Sequence, residues 1–304
     1  MINKNFNTIL ELLQEFPDEQ TCINHLEAIR WNGNVVSPFD PNSKVYDCKG
    51  NKYKCKNTAK YFNVKTNTLF DNTKVKLQKW FLAIWLITSH KKGISSMQLA
   101  KDIGTTQKTA WFMLQRIRNC FGEIGSGKPM DGVVEVDETY IGGKEKNKHS
   151  SNRTGRTQGG AGKTAIIGLL ERGKDVKAKV VQNTSAKELL PVILKNMPPN
   201  TVLMTDQNNT YKRLKGYYKH FVVNHARGEY VKQGFIHTNS LEGFWGLFKR
   251  SIIGVYHYAS PKHLQKYIDE MSFRYNTRTF GEGARLNQLL LNSEHRITYK
   301  ELTK

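Results

Sequence analysis

Three carboxylates of this chain stand where acids are costly unless something pairs with them. Asp137 falls in "VEVDETY", where an apolar run meets polar residues; Asp206 closes the apolar run "TVLMTDQ"; Glu242 lies in "HTNSLEGFWGLFKR", a segment of helical pattern. A carboxylate directly after a buried hydrophobic run suffers desolvation, and a divalent cation is the usual compensation. With 68 residues between Asp137 and Asp206 and 35 between Asp206 and Glu242, two strand-end aspartates can face a helix-borne glutamate. That set suits two hard cations, Mg2+ or Mn2+, about 4 Å apart, which activate an attacking oxygen and stabilise a leaving oxygen at phosphorus. Lys249 returns to within about 20° of Glu242's helix face, so its ammonium can meet a DNA phosphate beside the cations, with Arg250 next to it. Asn239 shares the face of Glu242, where it could serve as a neutral auxiliary ligand or bond to the substrate. Phe244 and Trp245 belong to the opposite, core-facing side. Glu135 and Glu138 compete with Asp137, and a strand-end Asp commonly caps a turn; only the ordered set argues for chemistry.

The elements that must position these residues follow from pattern. "GVVEVDETYIGG" reads as a strand, "KTAIIGLLERGKDVKAKVVQ" as a hairpin turning at Arg172-Gly173-Lys174-Asp175, and "SAKELLPVILKNM" as a helix. "NTVLMTDQ" is a buried strand, "KHFVVNH" another, and helices run from about residue 239. Three antiparallel strands, a helix, a fourth strand and further helices make an α/β layered domain. Between the first strand and the hairpin, "GGKEKNKHSSNRTGRTQGGAGK" carries six basic residues, one acid and six glycines. It reads as a mobile cationic loop tracking a phosphate backbone through Lys144, Lys146, Lys148, Arg153 and Arg156.

Upstream, residues 1 to about 30 read as helical, and residues 31 to 70 as small hairpins punctuated by Pro, Gly and Asn. A zinc ribbon needs two C-x-x-C knuckles. Here Thr58 follows Cys55 at the matching position, and Ser37 and Asp40 stand at the first knuckle. A hairpin without structural zinc is expected, with Cys48 as the one nearby substitute ligand. In the next helical block Ser95 or Ser96 caps a short helix, Ile103-Gly104 turns, and Thr105 or Thr106 caps a second helix. With Ala110, Trp111, Leu114 and Ile117 inward, Thr106, Gln107, Lys108, Gln115, Arg116 and Arg118 face out. This is the pattern of a helix-turn-helix with a basic recognition helix.

Composition narrows the partner. Across 304 residues, 47 Lys and Arg against 26 Asp and Glu give a formal charge of +21, spread along the chain, which favours a polyanionic partner, nucleic acid above all. No apolar run approaches the roughly 18 residues of a membrane span, and "MINKNFNTIL" lacks a signal-peptide core; a cytoplasmic, nucleoid-associated location and no membrane partner are expected. Four irregularly spaced cysteines argue for reduced thiols over a disulfide framework. His225, His237 and His257 are weighed as positioning or phosphate-contact groups, with a structural role favoured.

The motifs "VEVDETYIGG", "TDQNNTY", "HTNSLEGFWGLFKR" and "YHYASPKHLQKYIDEMSFRYNTR", with "FLAIWL" and "TAWFMLQRIR" upstream, resemble those of the DDE-type bacterial insertion-sequence transposases. The resemblance covers nearly the whole chain. It implies a ribonuclease-H-like, retroviral-integrase-type catalytic domain over 127–304, a helix-turn-helix region over 73–126, and an N-terminal helix with degenerate zinc-ribbon-like hairpins over 1–72. It further implies binding of terminal inverted repeats and target DNA, metal-dependent hydrolysis and strand transfer, and a homodimer or larger assembly. Asp137 and Asp206 match the first two catalytic acids; Glu242, or else Asn239, matches the third. A helix-turn-helix regulator, or a catalytically inactive derivative, is the alternative.

Overall fold

A computed structural model describes residues 6–122, 127–143, 149, 151, 160, 162–223, 231 and 234–303. The chain divides into two compact units, one formed by residues 1–124 together with 277–304, the other by residues 125–276. Residues 277–304, expected with the catalytic domain, cluster instead with the first unit, and the hairpins and helix-turn-helix share that unit as one body.

In the first unit, Pro17 and Asp18 divide the amino-terminal helical region into α1 (Ile9–Glu15) and α2 (Glu19–Trp31). Each has a side-chain cap: Thr8 with Glu11 forms a capping box on α1, and Asp18 accepts the Thr21 N–H at 2.8 Å on α2. A small antiparallel sheet follows, with β1 (Val45–Cys48), β2 (Lys52–Cys55) and β3 (Tyr61–Phe62) in that order. Its inner face presents Tyr53 and Phe62 to Trp31 of α2, with ring centroids 5.3 and 6.1 Å away. At the ribbon positions, Ser37 Oγ accepts the N–H groups of Phe39 (3.2 Å) and Asp40 (3.4 Å), and Asp40 Oδ2 accepts from Asn57 Nδ2 at 2.7 Å. The buried Cys55 hydrogen-bonds with Ser37, Ser43 and Thr58. Hydroxyls thus occupy the ground where knuckle thiolates would stand. Cys48 and Cys55 sit at positions of opposite parity in the ladder, Cys48 opposite Lys52 and Cys55 opposite Val45; Cys48 therefore points to the other face and is no substitute ligand.

Helix α3 (Leu77–Ser89) is apolar on nearly every side and forms the centre of this unit. Helices α4 (Ser96–Ile103) and α5 (Gln107–Arg118) have the expected caps, Ser95 and Thr106, joined through Gly104 at φ 59°. The outward face expected for α5 is real only in its first turn. Thr106, Gln107 and Lys108 are exposed, whereas Gln115, Arg116 and Arg118 are buried.

The second unit is built on β4 (Val133–Ile141), β5 (Thr164–Glu171), β6 (Val176–Val181), β7 (Val202–Thr205) and β8 (Lys219–Val222), in spatial order β6-β5-β4-β7-β8. The first three strands are antiparallel, and β7 runs parallel to both β4 and β8. Helix α6 (Ala186–Asn196) packs on one face through Leu189, Val192 and Ile193, against Val134, Val136, Ala165 and Ile167. The other face carries α7 (Asn239–Ser251) and α8 (Leu264–Asn276), whose Leu241, Phe244, Trp245, Phe248 and Ile268 meet Ile166 and Leu170. The unit is a three-layer α/β structure on a mixed sheet. Helices α9 (Glu282–Leu291) and α10 (Tyr299–Thr303) complete the first unit.

No helix among the described residues is long and apolar enough to cross a membrane.

Candidate active site

The register of β4 and β7 determines where the acids fall. Val136 lies level with Thr205, the last residue of β7, so Asp206 leaves the sheet beside Asp137. Asp137 itself is not at a strand end, as its sequence context suggests; β4 continues to Ile141. What ends there is its neighbour. Beyond Val136, β4 has β5 on one side and, among the described residues, no paired strand on the other, and the acids gather in the gap at the carboxyl end of a parallel strand.

A third member of the cluster was only a competitor in the sequence reading. Asp137, Glu138 and Asp206 each offer a carboxylate oxygen, and these all lie within 4.8 Å of one another. Glu138 alternates to the opposite side of β4 from Asp137, and its longer side chain reaches the cluster at the unpaired edge. The segment after β7 holds it there: Tyr211 donates to Glu138 Oε1 at 2.6 Å and Asn208 Nδ2 at 3.4 Å, while the Asn208 N–H donates to Asp206 Oδ1 at 3.0 Å. Asn208 and Tyr211 both lie in the motif "TDQNNTY", so a polar-residue count there would have found them.

The electrostatics record the crowding. Burial raises the Asp137 carboxyl to about 7, with the charges of Glu138, Asp206 and Glu242 adding to it. Burial also raises Glu138 to about 7, against the lowering effect of the Tyr211 bond and with Asp206 adding. The buried phenol of Tyr211 is pushed well above its usual value, chiefly by desolvation and the adjacent Glu138 charge. Two buried carboxyls raised in this way beside Asp206, with oxygen-only donors, fit a hard divalent cation.

Helix α7 brings Glu242 and Asn239 toward the same region. Glu242 is exposed in the first turn, its Oε1 accepting from Thr238 Oγ1 at 2.9 Å. Its charge acts on Asp137, yet it stands outside the three-acid cluster. Asn239, Lys249 and Arg250 are also exposed. Phe244 and Trp245 are buried against the sheet, as their spacing implied.

The amino end of α7 is fixed by residues outside the acid cluster. Glu135, fully buried, accepts the Leu241 N–H at 2.9 Å, Ser240 Oγ at 3.0 Å and Arg172 Nε at 2.6 Å. Arg172, from the predicted β5–β6 turn, also donates to the carbonyls of Phe235 (2.7 Å) and His237 (2.8 Å). His237 belongs to this clamp, with Nδ1 2.9 Å from Arg172 Nη2. A carboxylate at the start of a helix also meets the positive end of its dipole. Gly168 completes the fit, since a Cβ there would lie 2.4 Å from Trp245 Cζ2; it pairs with Asp137 across the β4–β5 ladder.

Of the expected DNA contacts, Thr106, Gln107 and Lys108 lie at the start of α5, where Gln107 bonds Ser96 at 2.9 Å and the Lys108 ammonium sits 5.4 Å over the Tyr299 ring. Gln115 and Arg116 are corrections. Arg116 donates to the carbonyls of Leu69 (2.9 Å) and Ile297 (3.1 Å), so its guanidinium serves the interior of the first unit. Lys144, Lys146, Lys148, Arg153, Arg156 and His225 lie outside the described residues.

An acid cluster beside a parallel strand end, in a mixed α/β unit, points to an enzyme that processes nucleic acid. Residues 129–276 match the family described as the ISXO2-like transposase domain, a span nearly coincident with the second unit. An uncharacterized protein in transposable element ISH50 of Halobacterium salinarum is 27% identical, over 78% of this chain and 84% of its own length. An uncharacterized transposase-like protein of Haemophilus influenzae is 26% identical, over 32% of this chain and 77% of its own. These likenesses support an insertion-sequence transposase, as its motifs led us to expect.

Proposed function

We propose that the chain is a DDE-type DNA transposase, with a ribonuclease-H-like second unit that cuts phosphodiester bonds at the terminal inverted repeats of an insertion sequence and joins the freed ends to target DNA. The observation that carries this reading is the convergence of Asp137, Glu138 and Asp206 within 4.8 Å. The strand order, three antiparallel strands followed by a parallel fourth and fifth, supports the fold assignment.

Asp137, Glu138 and Asp206 would hold divalent cation, with Glu242 or Asn239 contributing from α7. When bound, Mg2+ or Mn2+ supplies Lewis-acid stabilisation of charge at phosphorus and a more acidic attacking oxygen. The chain's own groups do the rest. Tyr211 and Asn208 hold the Glu138 and Asp206 carboxylates, the Glu135–Arg172 clamp fixes the approach of α7, and Lys249 and Arg250 meet phosphates on its exposed face. No side-chain nucleophile is needed: water attacks first, and the 3′-hydroxyl it releases attacks the target. The first unit reads DNA through Thr106, Gln107 and Lys108. Joining two ends in concert calls for a homodimer or larger assembly.

The test is cleavage and joining on linear DNA bearing the element's terminal repeat, with Mg2+ or Mn2+. Wild type is expected to cut and join, and Asp206→Ala, Glu138→Gln and Glu242→Gln to bind without cutting. If Glu242→Gln cuts and Asn239→Ala does not, the third catalytic residue is Asn239. If wild type binds and never cuts, the regulator or inactive-derivative reading replaces this one.

A further inference from the structure

The small sheet of the first unit has two unlike faces. Its inner face packs toward α2 through Tyr53 and Phe62, and Tyr53 donates to Glu27 at 3.0 Å. Residues of the opposite parity face outward. Tyr46 pairs with Lys54, and Lys54 with Tyr61, so one row runs Tyr-Lys-Tyr across three strands. With strands about 4.8 Å apart, the two tyrosine positions are separated by about 10 Å with a lysine between them. The rings are open to solvent, Tyr46 42% and Tyr61 61% exposed.

The charge of this face is one-sided. Lys44, Lys52 and Lys54 have the outer parity, whereas the single acid between Ser43 and Phe62, Asp47, has the parity of Tyr53. Lys44 and Lys54 hold their ammonium groups 5.5 Å over the rings of Tyr46 and Tyr61. Exposed contacts of that kind are weak, so the lysines can exchange a ring for a phosphate. A row of solvent-facing aromatics interleaved with cations, on a sheet and free of acids, matches the chemistry of an unpaired polynucleotide: bases stack on the rings and phosphates meet the ammonium groups. A duplex would use the lysines and leave the rings idle.

We propose that the outer face of the β1–β3 sheet binds single-stranded or locally unpaired DNA, with Tyr46 and Tyr61 stacking on bases and Lys44, Lys52 and Lys54 contacting the backbone. The assignment rests on DNA as the partner but not on the cleavage chemistry.

Its test is fluorescence anisotropy of the full chain, in chelator so that no cutting occurs, with labelled single-stranded and duplex oligonucleotides of mixed sequence. Tyr61→Leu and Tyr46→Leu are each expected to weaken single-strand binding about tenfold and leave duplex binding unchanged. Tyr61→Phe keeps the ring and keeps the affinity. Lys54→Gln weakens both and lowers the slope of log affinity against log salt by about one. Single-strand affinity at the wild-type level in both leucine variants overturns the proposal, and so does an equal loss for duplex. A wild type that binds neither DNA form overturns it together with the DNA partner itself, a result separable from variants that match a DNA-binding wild type.

Discussion

Gly168→Ala tests whether close helix–sheet contact aligns the site. Gly168 lies opposite Asp137 in the β4–β5 ladder, on the face that receives α7. A methyl there would sit 2.4 Å from Trp245 Cζ2, 2.8 Å from Cη2 and 3.0 Å from Leu241 Cδ1. Ordinary carbon contact begins roughly 1 Å farther out than the closest of these. Neither neighbour can give easily, because Trp245 and Leu241 are buried among Phe244, Phe248 and Ile268. The helix must therefore back away from the sheet by about 1 Å, with a stability loss of about 1–3 kcal/mol. Glu242 and Asn239 ride on that helix, and a displacement of about 1 Å at a reacting centre can lower the rate about a hundredfold. Strand cleavage and thermal unfolding of Gly168→Ala should fall together, and adding Trp245→Phe should restore part of both by shortening the side chain that collides. Wild-type cleavage in Gly168→Ala would refute the reasoning, because α7 would then not be held in register by this contact.

Three more outcomes follow from the same geometry. Asp137 and Glu138 titrate near 7 in the folded chain, above their unfolded values, so the stability they contribute is full below about pH 4 and is lost as pH rises through 7. After discount for partial solvent access that loss is about 2–4 kcal/mol; Mg2+ or Mn2+ should raise the melting temperature far more at pH 8 than at pH 5, and equal shifts would count against a cation at these acids. Glu135→Gln removes the charge that Arg172 and the start of α7 share, and should cost about 3 kcal/mol in urea unfolding; a change under about 0.5 kcal/mol would mean the clamp holds nothing. Arg116→Met leaves two interior carbonyls without their donor and should lower stability by about 2–4 kcal/mol with DNA affinity unchanged, whereas Lys108→Ala should do the reverse; DNA affinity lost in Arg116→Met at unchanged stability would restore that residue to the recognition surface.

The strands, the hairpin turn at Arg172–Asp175 and the caps at Ser95 and Thr106 were legible because each depends on a local pattern of apolar alternation, a glycine turn or a capping hydroxyl. Helical periodicity also placed Phe244 and Trp245 inside. The outward reading of Arg116 failed for a reason that periodicity cannot carry. Charged residues were assigned to water by type, but a guanidinium can lie in the interior when carbonyls meet its N–H groups, and those of Leu69 and Ile297 come from segments 47 and 181 residues away. Nothing in the α5 sequence contains that information. The same limit applies to residues 277–304, whose place in the first unit depends on distant partners such as Phe6, whose carbonyl accepts the Gly283 N–H at 3.0 Å.

The acid cluster shows how register adds to composition. Spacing alone could order Asp137, Asp206 and Glu242 along the chain, but it could not say which of three acids on β4 would face Asp206. The parallel pairing that sets Val136 beside Thr205 decides this. Glu135, two residues earlier on the same face, lies beside Met204, still inside the sheet, and so becomes a buried anchor for α7. Asp137 and Glu138 lie just past the end of β7, where the edge of β4 is unpaired and two successive side chains can converge on Asp206. A shift of the pairing by two residues would change these roles, in one direction placing Glu135 in the cluster and in the other setting Asp137 beside Met204, inside the sheet. The hydrophobic face that fixes the register, through Val134, Val136 and Leu203 against α6, is therefore what selects the acids for the site.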